Sequence, residues 1–161
     1  DMVTRRSEEI TLHGEWFTPH VIEPAFGIDR IIWHILDHCY TETEKEGEKY
    51  SIMSLSTSVS PFDVAILPLF DKGGMGDIAS EILVRVNSMP GLRGEMDSSK
   101  SIGRRYARID EIGVPWAITV DHETLENGSV TIRRRDDQKQ VRASVDDVVS
   151  NLAAGTISSL F

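Results

Sequence analysis

Residues 63–86 read DVAILPLFDKGGMGDIASEILVRV. Val64 to Leu69 is an unbroken apolar run of strand length, which predicts a strand buried on both faces. The glycines at 73, 74 and 76 make a turn. After them Ile78, Ile82, Leu83 and Val86 recur on one face, predicting a helix over Gly76–Ser88. Leu92–Met96 then reads as a second strand, so the segment is a strand-helix-strand unit, the building block of a parallel sheet with helices on its faces.

Downstream the alternation continues. Ser101–Ile112 is predicted helical, Pro115–Val120 is a second fully apolar strand, and Ser129–Arg134 with Gln140–Ala143 form a hairpin pair. Ser144 with Asp147 three residues on resembles a capping box, opening a last helix over Val145–Ala153 that Gly155 ends. The expected architecture is an α/β sheet of about five strands, mixed in direction and flanked by helices. Upstream, Glu9–His13 and Trp16–Val21 alternate apolar and polar residues about Gly14 and predict a β-hairpin. Ile28, Ile31, Ile32, Ile35, Leu36 and Cys39 predict a helix from about Gly27 to Tyr40. Thr41–Tyr50, rich in Glu and Lys, reads as a solvated loop, and a domain boundary is expected between it and Pro61, dividing the chain into residues 1–60 and 61–161.

Composition narrows the function classes. The chain has 161 residues, with 40% hydrophobic and 27% charged side chains. That is enough to bury a real core, and it fits neither a disordered chain nor a disulfide scaffold. No apolar run approaches a membrane span, since Val64–Phe70 and Val114–Val120 are short and broken by proline. The one cysteine, Cys39, has no intramolecular partner. No charged-then-apolar leader opens the chain, and together these favour a reducing cytoplasmic setting. The net charge of −9 argues against coating nucleic acid through bulk charge. It leaves room for local patches, and the bases concentrate in Lys100–Arg108 and Arg133–Arg142. Residues 1–60 hold 5 basic and 11 acidic side chains, the more acidic part. Opening on Asp1 without an initiator Met, the chain reads as an excerpt of a longer one.

Three motifs carry possible chemistry. Gly74-Met75-Gly76-x-x-Ala79, with Glu95 and Asp97 about twenty residues on, matches a dinucleotide fingerprint, but a plain strand-to-helix turn with glycines in left-handed conformations is the better reading. His34 and His38 stand four apart on one helix and could face one metal, but lack the Glu of a His-Glu-x-x-His site, and no metal is expected. Glu23-Pro24-Ala25-Phe26-Gly27-Ile28-Asp29-Arg30 sets a carboxylate and a cation at a helix start, suited to phosphate or to a plain ion pair. Nucleophilic catalysis has no support: no Gly-x-Ser-x-Gly elbow is present.

Pro19-His20-Val21-Ile22-Glu23-Pro24 followed by Phe26-Gly27-Ile28-Asp29-Arg30 resembles motif three of class II aminoacyl-tRNA synthetases, in the glycyl form. Ser101-Ile102-Gly103-Arg104-Arg105-Tyr106-Ala107-Arg108, continuing Ile109-Asp110-Glu111-Ile112-Gly113-Val114-Pro115, is similar to the anticodon-binding domain of the archaeal and eukaryotic glycyl enzymes, as is Leu67-Pro68-Leu69. The resemblance runs from about Glu8 to Ala154. It implies the tail of an antiparallel α+β catalytic domain over 1–60, without motifs one and two, joined to an anticodon-binding domain over 61–161. It further implies a parent ligase, a homodimer, that charges glycine tRNA using glycine and ATP with Mg2+. Arg30 would contact ATP and Glu23 the glycine ammonium, with Ala25 standing where the family often has a hydroxyl residue. The excerpt alone, needing no cofactor, would be inactive. Arg104 and Arg108, which share a helix face, Arg105, about 100° away, and the acceptors Asp110 and Glu111 would read the anticodon. The rivals are a nucleotide-binding α/β domain using Gly73–Gly76 and a non-catalytic synthetase-like interaction module.

Overall fold

A computed structural model of the chain describes residues 7–45, 47–70 and 73–161. Its centre is a five-stranded mixed sheet, in the order β4-β3-β5-β6-β7. The strands are β3 (Val64–Pro68), β4 (Gly94–Met96), β5 (Trp116–Val120), β6 (Ser129–Arg134) and β7 (Gln140–Ser144). β4 and β5 flank β3 in parallel, while β6 and β7 add antiparallel. Every residue of β3 and β5 is buried, as their apolar runs require.

Successive residues of a strand point to opposite faces, so β3 feeds two cores. Val64 and Ile66 pack with Ile118, Val130 and Ile132 against α2 (Met75–Asn87) and α5 (Val145–Ala154). On the other face, Ala65, Leu67 and Ala117 meet Ile109 and Tyr106 of α3 (Ile102–Glu111). The glycine-rich turn starts α2. Gly73 takes φ +73° and Gly74 φ +89°, values that residues with side chains rarely adopt. At the far end Ser144 Oγ accepts from the Asp147 amide at 3.0 Å and Gly155 closes α5 in the left-handed conformation.

The amino-terminal part departs from the sequence-based expectation in two places. Residues 7–27 run as exposed chain with no strand pairing, so the hairpin predicted at 9–21 is absent. An isolated two-stranded ribbon with no layer to cover it has little stability. The polar segment expected as a loop instead forms a hairpin, β1 (Tyr40–Lys45) with β2 (Glu48–Met53), in register from Tyr40↔Met53 to Lys45↔Glu48. β1 is exposed along its whole length, and β2, half buried over its second part, leans on α3. Before it, α1 (Ile28–Cys39) forms as expected, with its apolar residues exposed, including Trp33 and Ile28. Two short elements were not foreseen: α4 (His122–Asn127) and a closing 3-10 turn, Ile157–Leu160.

Candidate nucleic-acid interface

Helix α3 sorts its charges by face. Arg105 points inward and is 3% exposed. Its Nε donates to Ser99 O at 3.0 Å, Nη2 to Lys100 O at 2.7 Å, and Nη1 to Pro68 O at the end of β3. One guanidinium thus satisfies three carbonyls where the chain leaves the sheet. Asp110 is fully buried and accepts two bonds from Arg133, Nη1 to Oδ1 at 2.9 Å and Nη2 to Oδ2 at 2.8 Å, plus one from the Tyr50 hydroxyl. The Arg133 guanidinium lies 4.8 Å from the centre of the Tyr106 ring, whose hydroxyl meets Thr119 Oγ1 at 2.6 Å. Every polar group of this cluster has a partner, as buried charge demands. Burial, with the Asp110 charge adding to it, pushes the Tyr50 hydroxyl up to about 12. Expectation and structure therefore part at two of the five predicted anticodon readers: Arg105 and Asp110 present nothing to solvent and hold the fold together.

The other three face outward. Arg104 and Glu111 are exposed. Arg108 is half committed: Nε donates to Asp97 Oδ2 at 3.0 Å and Nη2 to Ser99 Oγ at 2.7 Å, while its side chain stays 40% exposed. Burial works to raise the Asp97 carboxyl, yet bonds from Arg108 and Ser99 hold it below its usual value. Between α3 and the β1–β2 hairpin opens a cleft of about 430 Å³, lined by Arg104, Tyr106, Lys45, Lys49 and Tyr50, with Gln138 and Gln140 at the sheet end and Glu48 on the hairpin side. Glu111 borders a neighbouring hollow against Tyr40 and Ser51. Cations, aromatic planes and amides able to give and take hydrogen bonds meet here, the set that single-stranded bases require. Lys45, Lys49 and Gln138 were not among the residues singled out from sequence, because only the pairing of β1 with β2 and of β6 with β7 brings them near α3.

The remaining candidates stand apart from this surface. Glu23 lies in the exposed chain before α1 and Arg30 in its first turn, and among the described residues no ion pair joins them. His34 and His38 lean together with ring centres 6.1 Å apart, and His38 Nδ1 lies 2.8 Å from the His34 carbonyl. No group of three or more His, Cys, Asp or Glu side chains suited to a metal occurs among the described residues. Of these residues, no helix is long and apolar enough to cross a membrane.

Comparison with known proteins gives the class. The anticodon binding domain family matches residues 63–154, from the start of β3 to the end of α5, and the chain belongs to that family. Its similarity to particular proteins is closer still. Over 159 residues, 97% of the chain, it is 44% identical to a glycine–tRNA ligase of Methanothrix thermoacetophila. It is 47% identical over 152 residues to the glycine–tRNA ligase of Methanothermobacter thermautotrophicus. The chain spans about a quarter of the length of these relatives, 27% and 26%. A crystal structure of prolyl-tRNA synthetase from Cryptosporidium parvum superposes on 67% of the chain and 24% of its own, with a TM-score of 0.57 and 22% identity, which confirms the fold.

Proposed function

We propose that this chain is the anticodon-recognising part of a glycine–tRNA ligase and that the cleft beside α3 takes the anticodon of glycine tRNA. The observation that carries this is the outward face of α3: Arg104 exposed, Arg108 half exposed, Glu111 one turn on, beside a cleft lined with aromatic rings and amides. Residues 61–161 form the RNA-binding unit and 1–60 the tail of a catalytic domain. In the longer enzyme, Arg30 serves ATP, bound with Mg2+, and Glu23 the ammonium of glycine, the cation and anion each substrate calls for. That enzyme is a cytoplasmic homodimer.

The test is tRNA binding by the chain across a salt series. Each phosphate neutralised steepens the salt dependence by roughly 0.7 to 0.9, so Arg104→Ala is expected to weaken binding and flatten the slope by about that amount. Arg108→Ala loses less, because Asp97 already holds part of its charge. Exchanging anticodon bases is expected to cost about 1–3 kcal/mol per base contact. Equal affinity for glycine tRNA and an anticodon-swapped version refutes the assignment.

A further inference from the structure

The family match begins at residue 63, whereas the hairpin that forms the second wall of the cleft ends at Met53. We infer that this hairpin is part of the RNA grip, with Lys45 a phosphate-binding residue and Tyr50 the positioning residue that fixes it opposite Arg104. The inference rests on the RNA-binding reading above and adds a contact from outside the anticodon-binding unit.

Three observations join in one chain of contacts. The Tyr50 hydroxyl donates to Asp110, which is itself clamped by Arg133, so the hairpin is tied to the buried core of the sheet rather than to a mobile surface group. The face of the Tyr50 ring supports Lys45, whose Nζ stands 5.2 Å from the ring centre, within the range of a cation–π contact. Lys45 Nζ also donates to Gln138 Oε1 at 2.9 Å, closing the cleft between hairpin and sheet. Lys45 therefore holds its ammonium at a set position on the cleft wall. Lys49, by contrast, is drawn to Glu42 at 2.6 Å, which neutralises it. In a chain of net charge −9 the long-range field repels RNA, so affinity depends on cations fixed at short range. A strand of RNA lying in the cleft would meet Arg104 on one side and Lys45 on the other, with the Tyr106 and Tyr50 rings and the Gln140 amide between.

The experiment is a double-mutant cycle on glycine tRNA binding, run well below the melting temperature of every variant. Lys45→Ala is expected to weaken binding and lower the salt slope by about 0.7, the value for a single-stranded contact, and Lys45→Arg to restore both. Tyr50→Phe keeps the ring and loses only the anchoring bond; it is expected to weaken binding by about threefold to tenfold. Because Tyr50 acts through Lys45, the double variant should bind no more weakly than the weaker single one. Additive losses overturn the positioning role. If Lys45→Ala and Tyr50→Phe both bind like wild type while Arg104→Ala is impaired, the hairpin is no part of the grip although the anticodon reading survives. If Arg104→Ala is silent too, that reading fails with it.

Discussion

Replacing Asp110 by Ala removes a carboxylate that accepts three side-chain hydrogen bonds and leaves the Arg133 guanidinium, 3% exposed, without a counter-charge. Arg133 sits in mid-sheet on β6, paired across to Ala117, with its side chain 4% exposed at the floor of the cleft. Stranding one member of a buried ion pair costs about 3–5 kcal/mol. For a chain of this size each kcal/mol lowers the melting temperature by roughly 2–4 °C, so a drop of about 10 °C is expected. Thermal and urea unfolding followed by tryptophan fluorescence measure the loss, since Trp116 on β5 is buried in the sheet while Trp16 and Trp33 are exposed. A second signal is specific to the bond. Tyr50, held at about 12 by burial and by the Asp110 charge, should titrate at lower pH in the variant, visible as phenolate absorbance. Removing both charges with Asp110→Ala and Arg133→Met is expected to recover much of the loss, because no ion is then left buried. An Asp110→Ala protein losing less than about 1 kcal/mol would refute the claim that this pair is closed to solvent.

Two further outcomes follow from local geometry. Gly113 has φ +87°, and an added Cβ would lie 2.9 Å from both Leu55 Cδ1 and the Met53 carbonyl. Gly113→Ala is therefore expected to cost about 2 kcal/mol or more, from backbone strain and overpacking together. Gly128, at φ +69°, has open space around it, so Gly128→Ala should cost only about 1 kcal/mol; equal urea midpoints for the two variants would show that the hairpin end is not seated on Gly113. Asp121 caps α4 and is gripped by Arg142 at 2.7 and 2.8 Å, and that hydrogen-bonded pairing, above all, holds its carboxyl at about 2 against a usual 3.8. A carboxyl depressed in the fold contributes fully above its unfolded value and loses that contribution as pH falls through the folded one. Stability should therefore decline between about pH 4 and pH 2, and Arg142→Ala should flatten that limb of the urea midpoint against pH curve; an unchanged limb counts against the pairing.

What the sequence shows of this fold follows from how apolar residues are distributed. β3 and β5 are apolar at nearly every position because both faces are covered, and such runs can be read without knowing their partners. α2 and α5 show their buried stripe through aliphatic spacing. The β1–β2 hairpin has no such signal: β1 is exposed along its whole length and β2 is only half buried, so no alternation of oil and water marks it. At 9–21 the alternation is present and the pairing is not, because alternation specifies a face and still needs something to cover it. α4 carries an Asp121–Thr124 capping box and a left-handed Gly128, both readable, yet six residues with only Thr124 buried give no periodicity to set between them.

The division of charge on α3 was open to inference in a way the hairpin was not. Ile102, Arg105, Tyr106, Ile109 and Asp110 fall at i, i+3, i+4, i+7 and i+8, the inward stripe of a helix, and Gly103, Arg104, Ala107, Arg108 and Glu111 occupy the other face. Charged residues that share a stripe with two isoleucines and a tyrosine sit on the core side, where each needs a full set of partners. Arg105 meets that demand with three carbonyls, two of them near it in the chain, and Asp110 meets it with Arg133 and Tyr50, 23 and 60 residues away. Helical spacing therefore locates the buried charges, while tertiary pairing alone explains why they are tolerated. It also explains why a helix so rich in arginine turns only Arg104 and Arg108 toward solvent. The inward Arg105 and Asp110 fix the sheet and the hairpin, and through them the width of the cleft that Arg104 lines.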